Sequence, residues 1–143
     1  MSTVQFFAET YGFDVPDHLD RDVSIPFLGG IQHQGDTTIV PLTEVRHRVT
    51  VAGKGEALPA VGVAVVAAVN GSHEHRLFAH QGVCWWQPDV TDTEGLAVGV
   101  LTVPDGSLAV QAHEEHGFSG IAPGCYAIGR QREQAEVERI VMD

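Results

Sequence analysis

Along most of the chain, apolar and polar residues alternate with the two-residue period of β-strands. The start is the exception. Thr3 to Tyr11 predicts a short helix that Ser2 or Thr3 can cap and Gly12 can end. Pro16 blocks its continuation, and Asp14 to Asp22 has the composition of an acidic surface loop. From Val23 onward the pattern is β. Ile31 to Val40 interleaves polar and apolar residues around Gln34-Gly35-Asp36, a turn signal. Thr43 to Val51 predicts a strand with Val45, His47, Val49 and Val51 on one face and Glu44, Arg46, Arg48 and Thr50 on the other.

The apolar run Val61 to Val69 predicts a central, fully buried strand, followed by the turn dipeptide Asn70-Gly71. Short strands are expected over His73 to Phe78 and Gly82 to Gln87, then a polar loop over Pro88 to Gly95. Leu96 to Val103 and Ser107 to His113 flank Pro104-Asp105-Gly106, which predicts a hairpin. Ile121 to Gln131 is a further strand with a bend at Pro123-Gly124. Gln134 to Val141 fits a helix or a last strand, and Val137, Ile140 and Val141 favour the helix.

About eight short strands separated by turn signals, without βαβ alternation, predict an all-β fold with minor helix. The expected architecture is one antiparallel β-barrel or sandwich with a short N-terminal helix. It divides into helix and loop over 1–22, a β core over 23–133 and a tail over 134–143. A chain of 143 residues with 43% hydrophobic content can bury a core as a single domain.

Charge narrows the partners. The net charge of −11 comes with only seven arginines and one lysine, Lys54, none clustered, which argues against nucleic acid and against anionic lipid. Met1 to Glu9 lacks the basic and apolar regions of a signal peptide, and the run Ala60 to Val69 is about half a membrane span. Cys84 and Cys125 make no disulfide framework and are expected to be buried free thiols. A cytoplasmic location is the expectation that follows. A homo-oligomer is compatible with all of this.

One constellation carries chemistry. On a strand, His73 and His75 project from the same face, as two ligands of one metal must. His113-Glu114-Glu115-His116 follows a strand. A turn there would bring His113 and His116 to one side, whereas a straight strand would pair His113 with Glu115. Together they offer the ligands His73, His75, His113 and His116 for one divalent transition metal, with Zn, Fe, Ni and Cu equally suited. Glu114 or Glu115 can serve as general base beside a metal-bound water, or as a ligand. His47, on an apolar strand face, is expected to be a hydrogen-bonded core residue. His18, His33 and His80 carry no signal.

The H-x-H pair followed by a later histidine resembles the cupin superfamily of metal-holding barrels, but only distantly. The glutamate expected soon after H-x-H is missing, since Phe78 and Ala79 stand there, and Pro104-Asp105-Gly106 lies too far ahead of His113. A closer resemblance is to small uncharacterised bacterial proteins with the pattern G-[ST]-H-x-H, H-E-E-H, G-x-Y and Q-R-E. The chain matches it with Gly71-Ser72-His73-Glu74-His75, His113 to His116, Gly124-Cys125-Tyr126 and Gln131-Arg132-Glu133, and in its first half with Gln34-Gly35-Asp36 and Pro41. Gln134 departs from it, standing where that pattern often has an aromatic residue. The resemblance supports the ligand set and implies no reaction. Gln131-Arg132-Glu133 is read as a polar strand end held by charge-assisted hydrogen bonds.

Three functions compete: a metal-binding β domain, a metal-dependent enzyme that takes a small molecule at the metal, and a metal-free interaction domain. No phosphate loop, nucleotide fingerprint or nucleophile elbow is present to name a substrate.

Overall fold

The computed structural model describes residues 3–15, 19–66 and 74–131. Its first element is the helix α1, Val4–Tyr11. Thr3 caps it by accepting a hydrogen bond from the Phe6 N–H, and Gly12 ends it in the left-handed conformation. The strands are β1 (Phe27–Leu28), β2 (Gln32–Gln34), β3 (Thr37–Pro41), β4 (Val49–Val51), β5 (Glu56–Ala57), β6 (Val63–Val66), β7 (His75–Gln81), β8 (Trp85–Gln87), β9 (Val90–Asp92), β10 (Ala97–Val103), β11 (Leu108–His113), β12 (Gly117–Ile121) and β13 (Gly124–Arg130).

They form two main sheets, in the orders β1-β12-β11-β7-β6 and β2-β3-β13-β10-β8-β5, with a small pair β4-β9. Both orders are linear, so the molecule is a sandwich and the barrel alternative falls away. Among the described residues all strand pairings are antiparallel except β1 with β12. The main core lies between the sheets: Leu77, Ala109 and Ile121 of the first meet Ile39, Trp86, Leu101, Tyr126 and Ile128 of the second. Burial of such side chains contributes about 1.5–3 kcal/mol each, which holds the two layers together. The outer face of the first sheet is covered by α1, whose Phe7 packs on Phe27, His80 and Phe118 while Tyr11 stacks on Phe78.

Several expected elements change. Thr43 to Val51 is not one strand: Leu42–Val45 is a helical turn, α2, and only Val49–Val51 is extended. Leu42, Val45 and Val49 are buried at helix-like spacing, which competes with the alternation and wins, because the small β4-β9 layer packs on that face. His47 is consequently exposed at the turn, not a core residue. Val61 is 73% exposed, and β6 lies at a sheet edge among the described residues, so the expected central strand begins later and is peripheral; 67–69 lie outside the described residues. Within the polar stretch 88–95, β9 pairs with β4.

The largest correction concerns Pro104-Asp105-Gly106. It does form a tight turn, closed by the Ser107 N–H on the Pro104 carbonyl at 3.0 Å. Yet β10 and β11 belong to opposite sheets, so this turn crosses the sandwich instead of closing a hairpin. The hairpin is β11-β12, and the H-E-E-H segment is its turn. Trp86 is buried in the core as expected. Cys84 is buried, with its thiol pushed up to about 11 by burial, whereas Cys125 is exposed and not a core thiol. The Asn70-Gly71 turn and the tail after Gln131 lie outside the described residues.

Candidate functional site

His75 opens β7 and His113 closes β11, neighbouring strands in which Arg76 lies opposite Ala112. Both rings therefore lie on the inner face at one end of the sandwich. Their centroids are 4.2 Å apart, His113 and His116 are 4.6 Å apart, and His75 and His116 are 6.4 Å apart. Of the two outcomes open for H-E-E-H, the turn is found. It brings His113 and His116 to one side. His73 lies outside the described residues.

Facing these rings from the other sheet is the β2-β3 hairpin. Its two-residue loop, Gly35-Asp36, needs a residue with positive φ, and Gly35 has φ 58°. A Cβ at Gly35 would lie 2.5 Å from the His116 ring, so the missing side chain is also what lets that ring lie over the loop. Gln131 pins the same loop, its backbone N–H on the Asp36 carbonyl at 3.0 Å and its Nε2 on the Gly35 carbonyl at 2.7 Å. Gln131 is thus a polar strand end held by bonds between neutral groups; Arg132 and Glu133, on which the expected charge-assisted bonds depend, lie outside the described residues.

His75 is fully buried, and both its ring nitrogens are engaged: Nδ1 with Gln34 Oε1 at 2.9 Å and Nε2 with Asp36 Oδ1 at 2.8 Å. Donor and acceptor roles can be assigned from the surroundings. Gln34 Nε2 donates to the carbonyls of Gln111 and Gly117 at 2.8 and 3.2 Å, which fixes its other end as an oxygen. That oxygen also accepts from Gln111 Nε2 at 3.0 Å. His75 Nδ1 must then carry a proton. Its Nε2 faces a carboxylate, so something positive has to lie between them, a second proton or a cation. Burial, with the neighbouring His113, lowers the pKa of His75, against the Asp36 hydrogen bond that raises it. The geometry calls for positive charge where burial makes an imidazolium costly.

His113 is arranged the opposite way. Its Nδ1 accepts the backbone N–H groups of Glu115 and His116 at 3.1 and 3.2 Å, so it caps the hairpin turn. The neutral ring then carries its proton on Nε2. Turning Nδ1 away would forfeit two hydrogen bonds of about 0.5–1.5 kcal/mol each. Deeper in the sandwich Gln111 Nε2 also donates to Thr37 Oγ1 at 2.8 Å, while its Oε1 is buried with no hydrogen-bond partner among the described residues.

Glu114 and Glu115 are exposed in the turn. Glu114 also lines a cleft of about 600 Å³ with Tyr11, Phe13, Val61, Arg76 and Phe78, roomy enough for a small molecule. The residues that sequence reasoning missed are Asp36 and Gln34. Their signals were the Gln34-Gly35-Asp36 turn, which reads as loop chemistry, and the place of the same three residues in the pattern shared with the small bacterial proteins. Among the described residues no group of three or more His, Cys, Asp or Glu side chains is already arranged to hold a metal ion, and no helix is long and apolar enough to cross a membrane.

A family model described as a domain of unknown function, DUF8820, matches residues 33–131. The chain belongs to this family. The matched region begins at β2 and ends at Gln131, so it contains Gln34, Asp36, His75, Gln111, His113 and His116, while α1 and β1 lie ahead of it. No curated protein and no solved structure matches the chain.

Proposed function

We propose that this DUF8820 protein is a divalent-metal-binding β domain whose site lies at the His75 end of the sandwich. The observation that carries the reading is the convergence of three imidazoles, from His75, His113 and His116, beside the Asp36 carboxylate. Imidazole and carboxylate together suit Zn, Fe, Ni or Cu, and a buried first ligand held by an outer hydrogen bond is the usual support for such a site. His73, in the H-x-H pair, remains a fourth candidate from the sequence. Glu114 and Glu115, in the turn between His113 and His116, remain the candidate bases should a small molecule bind beside the metal; the cleft that Glu114 also lines opens on the outer face of the first sheet, away from His75.

Metal analysis of the purified full chain tests the reading. About one equivalent of a transition metal should be retained, and a chelator should lower the melting temperature. If no metal is retained and chelators leave melting unchanged, the reading fails.

A second reading is favoured by the hydrogen bonds already made. His75 has both nitrogens engaged and His113 caps a turn, so the second reading is a polar staple between two sheets. Unchanged melting after chelation would select it.

A further inference from the structure

We propose that Asp36 and His75 are the primary ligand pair of the cation site, that His116 completes it, and that His113 is a positioning residue outside the coordination sphere. This rests on the metal-binding reading and replaces part of its ligand set.

The case is one of donors and acceptors. His75 donates from Nδ1 to Gln34, which leaves the Nε2 lone pair for a cation and is how an outer-shell acceptor orients a ligating imidazole. Asp36 Oδ1 stands 2.8 Å from that nitrogen. Two ligands about 2.0–2.1 Å from one metal stand about 2.9 Å apart at right angles and about 3.4 Å apart at the tetrahedral angle, so an opening of at most about 0.6 Å brings the contact to the spacing of neighbouring ligands. A cation there replaces the proton that the Nε2–carboxylate contact otherwise requires.

His113 has the wrong polarity. With Nδ1 accepting two backbone N–H groups, its Nε2 carries hydrogen and points no lone pair outward. To ligate, it must give up the cap of the turn that positions His116. His116 meets no such obstacle. It is exposed, lies over the Gly35-Asp36 loop, and its ring stands 6.4 Å from that of His75. Two imidazoles bound through Nε2 at a tetrahedral angle have centroids about 5 Å apart, so a modest turn of an exposed ring closes the set. Two imidazoles and one carboxylate leave further positions open for water or a small molecule.

The experiment compares chelator-treated wild type with Asp36→Asn, His116→Ala and His113→Asn, titrated with Zn(II) by calorimetry and with Co(II) by visible absorption. Asparagine at 113 places its Oδ1 where Nδ1 accepts, so it keeps the cap without an imidazole. Asp36→Asn should weaken Zn(II) by more than the roughly 10–100-fold that loss of an outer-shell partner costs. His116→Ala should weaken it and change the Co(II) spectrum. His113→Asn should stay within about threefold of wild type with the same spectrum. If His113→Asn loses the metal while Asp36→Asn keeps it, the inference is overturned and the metal reading stands. A wild type that binds neither metal overturns both. Should Asp36→Asn not fold, nitrogen-15 spectra of the wild-type imidazoles decide: Zn(II) should move the Nε2 signals of His75 and His116. A metal-bound signal from His113 overturns the inference.

Discussion

Tyr11 Oη and His80 Nδ1 meet at 2.6 Å where α1 crosses the first sheet, with Phe7 and Phe78 against the Tyr11 ring and Phe6, Phe7 and Phe27 against the His80 ring. Burial raises the Tyr11 phenol to about 12 and lowers the His80 pKa below its usual value, so the pair exists as phenol donating to neutral imidazole. The sign of each shift fixes a pH window. His80 takes a proton more readily unfolded, so helix docking weakens as pH falls below about 6.5. Tyr11 loses its proton more readily unfolded, so stability is present below about 10 and is lost as pH rises through about 12.

Tyr11→Phe keeps the ring on Phe78 and removes only the hydroxyl. We expect a loss of about 0.5–1.5 kcal/mol near neutral pH and a flatter alkaline limb of the melting profile. Melting temperature measured from pH 5 to 11 checks it; an unchanged alkaline limb would show that the pair does not set that limit.

Asp92 organises the loop between β9 and β10. Its carboxylate accepts the backbone N–H groups of Glu94 at 2.9 Å, Leu96 at 3.0 Å and Ala97 at 2.7 Å, and is paired with Arg48. Burial alone would raise its pKa; Arg48 and the backbone donors outweigh that and hold it below the ordinary value. Its stabilising effect is therefore present above about pH 3.9 and lost as pH falls through the lower folded value. Asp92→Ala should cost about 2–4 kcal/mol, because three backbone N–H groups lose their acceptor and Arg48 keeps only Glu94, at 3.0 Å, as a partner. Urea unfolding reads the loss, and a change under 1 kcal/mol would contradict it.

The same stretch shows what a sequence can and cannot disclose. Alternation identified most strands, and Thr3 and Gly12 bounded the helix, because those signals are local. Sheet membership is not local. Pro104-Asp105-Gly106 makes the same tight turn whether the chain returns beside itself or crosses to the other layer, and only packing decides. Leu42, Val45 and Val49 fit both periods until the β4-β9 pair is placed against them. At the site, His75 and H-E-E-H were visible because their imidazoles are grouped in sequence. Asp36 was hidden, since a carboxylate after glycine is the ordinary content of a turn and its partner His75 is distant in sequence.

Gly99 is a packing constraint that propensity would not favour in a strand. A Cβ there would approach Trp86 Cη2 to 2.4 Å, and the β10 register shifts beside it. Gly99→Ala must displace the indole from the core, at an expected cost of about 1–3 kcal/mol. Tryptophan emission should move to longer wavelength together with the drop in stability. Stability lost with unchanged emission would place the strain elsewhere.

Gln34 should matter as much for stability as for any ligand, because it joins both sheets through one amide. It accepts from His75 Nδ1 and Gln111 Nε2 while donating to the carbonyls of Gln111 and Gly117. Gln34→Ala leaves a buried ring N–H without its acceptor and the carbonyls of Gln111 and Gly117 without their shared donor. The expected loss is about 2–4 kcal/mol, more than a typical single hydrogen bond, since several groups go unsatisfied together. The His75 ring N–H supplies a local readout. It should exchange slowly with solvent in the wild type and rapidly in Gln34→Ala, even under conditions where the variant remains folded. If the variant keeps wild-type stability and a protected ring proton, another group holds His75. The assignment of its lone pair to Asp36 would then lose its basis.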